Sequence, residues 1–298
     1  MLDMLETNLN GIIPLPNTHP VTSVTSSKQT STVRVTFYLG QVGLPAWLIK
    51  GIHQQIRGFE GYSELIKVHT LQRVNVQQYL SALTFAFQPF DLCEITLCGK
   101  QAETYAATLR LYLQQDCFLL ESPSSAQPQG SQNLHSSSFQ FHHDIIQDQL
   151  EAFIRLYRLM TPSEDDSKAE KSYILQRIAK IASLENYKAI ETQLAQREQV
   201  SSTGMQGGVA LPHVITESVS QPKLICLTSH TPINWQSKHG LVTHVVALLL
   251  PKPCSNNAIL AVRNLAVSLI DIEKNQFISA HHNPCELQAI LTCLMMPK

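Results

Sequence analysis

Residues 197–213 read REQVSSTGMQGGVALPH, and the reading of the whole chain works outward from them. Gly204, Gly207 and Gly208 permit backbone turns at positive φ and a close approach of main-chain N–H groups to an anion. Pro212 stiffens the backbone immediately before His213 and so fixes where the imidazole points. A neutral imidazole, with a reference pKa of about 6.5, is a competent nucleophile at neutral pH. A phosphoryl group attached to it needs positive charge nearby, and Arg197 offers a planar, bidentate donor set. Phosphoryl transfer asks little more of a protein than positioning and electrostatic support. A nucleotide-binding phosphate loop is the rival glycine-rich reading; it fails because no G-K-[ST] follows and the motif ends in Pro-His.

Around this segment the pattern is that of a mixed α/β domain over 141–298. A helical pattern runs from about His142 to Met160, where TPSEDDSK breaks it with Pro162 and an acidic cluster, Glu164 to Asp166, suited to a helix N-terminus. Ile174, Ile178 and Ile181 mark one face of the next helix, and Ile190 and Leu194 mark another that ends near Glu198. Lys223–Thr228 and Val242–Leu250 are apolar strand candidates; helices are expected at about Asn256–Ile270 and Pro284–Met295.

Residues 122–140 form a linker rich in Ser, Gln, Pro and Gly. Before it lies a small α+β domain over 33–121. Val33, Val35 and Phe37 alternate with polar residues as in a half-buried strand. Pro45 opens a helix, and Leu65–Val68 forms a second strand. A short helix is expected from Asn75, its N-cap, to Leu83. Leu92–Leu97 is a third strand, and Ala102, Ala106, Leu109 and Leu113 stripe a closing helix. Residues 1–32 read as a loosely ordered tail.

Composition narrows the function classes. A hydrophobic content of 44% with 15% charged residues is that of a globular protein, and 298 residues suffice for two cores. A net charge of -1 gives no global field to attract nucleic acid or an anionic membrane. The seven scattered cysteines show no C-x-x-C pair and read as reduced, mostly buried thiols. The first residues lack the basic and apolar regions of a signal peptide, and Val245–Leu250 is far too short to span a bilayer. A cytoplasmic protein is expected, with no metal and no cofactor. The tandem pairs His142–His143 and His281–His282 read as surface residues, since helical neighbours point about 100° apart and share no ligand face.

The run T-G-M-Q-G-G-V-A-L-P-H, preceded by Arg197-Glu198, resembles the enzyme IIA components of the fructose and mannitol type in the phosphoenolpyruvate-dependent sugar phosphotransferase system. The resemblance continues through INW (233–235), GLVTHVVALLLP (240–251) and LAVSLI (265–270), and covers about 165–298. It implies a mixed-sheet enzyme IIA fold in which His213 carries the phosphate and Arg197, sixteen positions earlier, lines the site; Gly204, Gly207 and Gly208, by their backbone freedom, are the expected phosphate-binding residues. It also implies an HPr-like phosphocarrier as donor and a IIB-type domain of a sugar permease, or a regulatory protein, as acceptor. Relatives carry a second histidine at the start of the helix after the long strand; here that position is Ala258, while His244 falls inside the strand pattern. If Ala258 lay beside His213, a histidine placed there would hasten onward transfer.

The N-terminal part resembles the histidine-containing phosphocarrier HPr, an open-faced β-sandwich, over about 33–115. That family begins its first helix with H-x-R-P-A; this chain reads VGLPA, with Val42 for the histidine and Leu44 for the arginine, and Gln78 where many relatives have a serine. The domain is therefore expected to lack phosphoacceptor chemistry. Two functions fit the whole: a phosphotransfer component passing phosphate from HPr to a IIB-type acceptor, or a regulatory protein whose phosphorylation reports flux through the system.

Overall fold

A computed structural model of the chain describes residues 31–120, 139–161 and 166–297. The expected tail (apart from its last two residues), nearly all of the expected linker, and Glu164 and Asp165 lie outside the described residues.

The N-terminal sheet combines β1 (Ser31–Tyr38), β2 (Gly61–Lys67), β3 (Gln72–Asn75), β4 (Leu92–Gly99) and β5 (Phe118–Leu119) in the order β3-β2-β4-β1-β5, antiparallel throughout. Its faces follow the two-residue period of the strands. Val33, Val35 and Phe37 of β1, Leu65 of β2, and Cys93, Ile95 and Leu97 of β4 point to helices α1 (Ala46–Gln55) and α3 (Ala102–Leu113). The α3 stripe is the expected one: Ala102, Ala106, Leu109 and Leu113 are all buried. Pro45 stands one residue earlier than a first helical turn, as the N-cap of α1.

The intervening residues Arg34, Thr36, Tyr38, Glu64, Ile66, Leu92 and Glu94 face the other way, and that face is covered. Tyr38, Ile66 and Leu92 belong to one buried cluster with Val209, Leu224, Leu248, Phe277 and Leu287 from the C-terminal part. The described residues accordingly form one compact unit.

The second sheet contains β6 (Gln140–Ile145), β7 (Val209–Ala210), β8 (His213–Thr216), β9 (Lys223–Ile233) and β10 (Val242–Pro251). β6 runs parallel to β9, β9 antiparallel to β10, and β7 and β8 both pair parallel with β10. Helices α4 (Gln147–Met160), α5 (Asp166–Ala182) and α6 (Tyr187–Val200) cover one face; α7 (Asn256–Ser268), α8 (Ile272–Ser279) and α9 (Pro284–Leu294) lie on the other. A strand covered on both faces must be apolar at successive positions. β10 meets this demand: Val245, Ala247 and Leu249 enter the first core while Val246 and Leu248 enter the second. Burial also pushes the Cys226 and Cys293 thiols up to about 12.

Several local expectations change. The helix expected from His142 begins only at Gln147, because residues 140–145 are taken up as a strand by the edge of β9. Asn75 ends β3 rather than capping a helix; its Oδ1 accepts the Gln77 N–H at 2.9 Å, an Asx turn, and the helix that follows, α2 (Tyr79–Ala82), is a single turn. Asp166 opens α5 and pairs with Arg158 at 2.6 Å. His281, expected at the surface, is buried, and α8 and the short strands β7 and β8 carry too few residues for a period to show.

Candidate active site

Arg197 and His213 meet. The last turn of α6 presents Arg197, and His213 opens β8, held by its pairing with Leu248 of β10. The Arg197 Nε–H donates to His213 Nε2 at 3.4 Å, and its Nη1 donates to the Ser201 carbonyl at 2.9 Å, which fixes the guanidinium plane. His213 Nδ1 lies 2.9 Å from the Leu211 carbonyl. A carbonyl only accepts, so Nδ1 carries the hydrogen and Nε2 keeps its lone pair. The half-buried imidazole thus turns its nucleophilic nitrogen toward the guanidinium.

The loop between them is held from below. Buried Glu198 accepts from the Thr203 N–H at 3.2 Å and from the Thr203 hydroxyl, and it pairs with Lys171 of α5 at 2.7 Å. The indole N–H of fully buried Trp235 donates to the Thr203 hydroxyl at 3.3 Å, and the Lys171 ammonium lies 5.2 Å from the centre of the Trp235 ring. Breaking a buried pair such as Lys171–Glu198 from one side costs about 3–5 kcal/mol. The sequence shows Glu198 as half of an Arg-Glu pair, and its place four residues after Leu194 and eight after Ile190 continues the buried stripe of α6, the signal by which its burial could have been found.

The glycines divide into two roles. Gly204 lines the cleft, and a Cβ there would stand 2.6 Å from the Ser237 Cβ, so only glycine fits. Gly207 and Gly208 adopt φ of 98° and 93°, where a side chain is strained, and turn the chain back against α8; they are not among the residues lining the cleft. The cleft itself, about 720 Å³, opens between Arg197, His213, Gly204, Lys238, His239 and the C-terminal end of α7 at Ala266 and Leu269. Lys238 brings a second cation to its wall.

Ala258 is not among the residues that line the cleft. It is buried in the first turn of α7, its N–H donating to the Ser255 hydroxyl at 3.2 Å, and it is eight positions from cleft-lining Ala266. At 1.5 Å per residue that is about 12 Å along the axis. His244 is a buried strand residue, its Nε2 donating to the His281 carbonyl at 2.7 Å. Among the described residues no group of three or more His, Cys, Asp or Glu could hold a metal ion, and no helix is long and apolar enough to cross a membrane.

An imidazole whose Nε2 accepts from a guanidinium stands in a cleft walled in part by Gly204 and Lys238. Residues 163–293 match the family described as phosphoenolpyruvate-dependent sugar phosphotransferase system, EIIA 2, and the C-terminal part of the chain carries a domain of that type. The chain is 30% identical over 105 residues to multiphosphoryl transfer protein 1 of Escherichia coli (strain K12) and, equally, to the multiphosphoryl transfer protein of Shigella flexneri; the match covers 35% of this chain and 12% of each relative. The matched stretch therefore spans about an eighth of the length of those relatives. Among solved structures, nitrogen regulatory protein IIA-Ntr from Neisseria meningitidis is similar at 22% identity and a TM-score of 0.36, over 41% of this chain and 86% of that one.

Proposed function

We propose that His213 accepts a phosphoryl group on Nε2 from an HPr-like phosphohistidine donor and passes it to a IIB-type acceptor in the cytoplasm. The observation that carries this reading is the Leu211 carbonyl on Nδ1, which leaves the Nε2 lone pair beside Arg197 at 3.4 Å. In the forward step the Arg197 N–H turns from Nε2 to the incoming phosphoryl oxygens, the freed Nε2 lone pair attacks phosphorus, the P–N bond to the donor breaks, and the donor imidazole leaves with that electron pair. The phosphoryl oxygens then take charge-assisted hydrogen bonds from Arg197, with Lys238 across the cleft. Onward transfer repeats the displacement with the acceptor's nucleophile. On this reading Gly204 is a phosphate-binding residue, while Gly207 and Gly208 serve by shaping the turn. The resemblance to the fructose and mannitol type makes a sugar permease the natural last acceptor.

One observation favours a regulatory variant of the same chemistry. Val42, standing where an HPr-like chain has its histidine, is 66% exposed and has no nucleophilic atom. The N-terminal part, read as HPr-like, then serves contacts rather than transfer, and the phosphorylation state of His213 reports flux to a partner. Incubation of the full chain with phosphoenolpyruvate, enzyme I and HPr should add one acid-labile, base-stable phosphate. His213→Ala should abolish it; full labelling of that variant would sink the assignment.

A further inference from the structure

Helix α8 stands between the glycine turn of the site and the face of the N-terminal sheet, and it is bonded to both. On the site side, Asn275 donates through Nδ2 to the Gln206 carbonyl and to the Leu269 carbonyl, both at 2.8 Å, and the Ser279 hydroxyl lies 2.7 Å from the Gly207 carbonyl. Ser279 has a second acceptor, its own helix carbonyl at Asn275, 2.8 Å away. The Gln206 and Leu269 carbonyls come from the two walls of the cleft, so one buried amide ties those walls together. Its Oδ1 is buried without a hydrogen-bond partner. Packing alone would favour an apolar residue over a half-satisfied amide, so the side chain is there for its two donations.

On the sheet side, Phe277 packs in the cluster shared with Tyr38, Ile66 and Leu92. Just past the helix end, His281 bonds Glu94 of β4 at 2.5 Å and the Phe277 carbonyl at 2.6 Å. The His281 carbonyl accepts from His244, whose backbone N–H donates to the Gly208 carbonyl at 3.1 Å. Sheet and turn are therefore joined twice, through the side chains of α8 and through His281 and His244.

We infer that Asn275 and Ser279 are positioning residues for phosphoryl transfer at His213, and that the Glu94–His281 contact makes the N-terminal sheet the platform on which they act. The inference rests on the proposed transfer at His213, and it gives the N-terminal part a role in the reaction that needs no nucleophile of its own: it sets the turn from behind.

The full, ¹⁵N-labelled chain decides it. Ser279→Ala should shift the amide resonances of Gln206, Gly207 and Gly208, and Glu94→Gln should shift the same three from the far side of α8. Thr96→Val, which removes only a hydroxyl bonded to Glu94 at 3.0 Å, should shift them less and in the same direction; it serves if Glu94→Gln does not fold. In donor-to-His213 kinetics, Ser279→Ala and Asn275→Ala should each lower the maximal rate about tenfold while leaving KM for the donor unchanged, as a misplaced site does. Turn amides unmoved by every change at Glu94 and Thr96 would overturn the platform, and unaltered maximal rates would overturn the positioning role. A wild-type chain that takes no phosphate at all would end the proposed transfer and the positioning role with it, while the amide shifts would still decide whether the sheet sets the turn.

Discussion

Glu94 and His281, 187 positions apart in the sequence, meet at 2.5 Å in the buried seam between the two sheets. His281 Nδ1 faces the Phe277 carbonyl and Nε2 faces the Glu94 carboxylate, two groups that only accept, so both ring nitrogens carry hydrogens and the ring is an imidazolium. Burial works against charge on either partner. For His281 the hydrogen bond and charge of Glu94 outweigh it and hold the imidazole above its usual range; for Glu94 the hydrogen bond and charge of His281, with Arg34, hold the carboxyl below its own.

Glu94→Gln should therefore destabilise the fold by about 3 kcal/mol at pH 6, since the buried ring must then either give up its proton or stay charged without its partner. Urea unfolding of the full chain measures this. A loss below about 0.5 kcal/mol would mean that the pair contributes nothing net.

The pair also sets the alkaline side of the stability profile. A raised His281 contributes fully below pH 6.5, the unfolded value, and its contribution fades as pH rises through the folded value. Glu94, held low, contributes above 4.5 and loses this only as pH falls through its folded value. His244 acts on the interval between. Burial first, countered in part by its bond to the His281 carbonyl but reinforced by the nearby rings of His282, His143 and His281, holds it at about 4. The unfolded chain takes up this proton first, so stability should fall by up to about 3 kcal/mol from pH 6.5 to pH 4. His69, His143 and His282, also held low by burial, add to the slope. Urea midpoints across that range should decline less steeply for His244→Asn than for wild type; parallel profiles would rule His244 out as the main source.

Arg197→Lys should lower the rate of His213 phosphorylation about tenfold to a hundredfold while preserving the charge. Arginine reaches Ser201 and His213 at once through separate nitrogens of one rigid plane, and a lysine ammonium has no such fork. Single-turnover labelling with purified HPr donor would show it. Equal rates would reduce Arg197 to a point charge.

What the sequence discloses of this site follows from what generates a signal. The pairing of Arg197 with His213 is local: one helix end, one turn and one short strand separate them, and glycine and proline mark each change of direction. The strands and the α3 stripe are likewise legible, because burial imposes its period on them. Glu94 gives no such sign. It alternates correctly as a polar residue on a half-buried strand, and that pattern suits a solvated face as well as one covered by α8 and α9. His281 is equally silent, since its partner is fixed only by the packing of two separately encoded sheets. The strand β6 was masked by a helix-like spacing that the open edge of β9 overrides.

Ala258 gives the last test. A resemblance in the run AILAVRNLA places it where relatives carry a second histidine, and an imidazole beside His213 would assist transfer. In this fold the residue is fully buried in the first turn of α7, about 12 Å along the helix from the cleft wall at Ala266. Its methyl is shut off from solvent, and its N–H is committed to the Ser255 cap. An imidazole introduced there must displace neighbours and bury at least one ring nitrogen, a change that costs about 1–3 kcal/mol by overpacking alone. Ala258→His should accordingly lower the urea midpoint and leave the rate of transfer from phosphorylated His213 to a IIB acceptor within about twofold of wild type. A gain of tenfold or more would show that the introduced ring does reach the cleft, and that α7 enters the site by its first turn rather than its last.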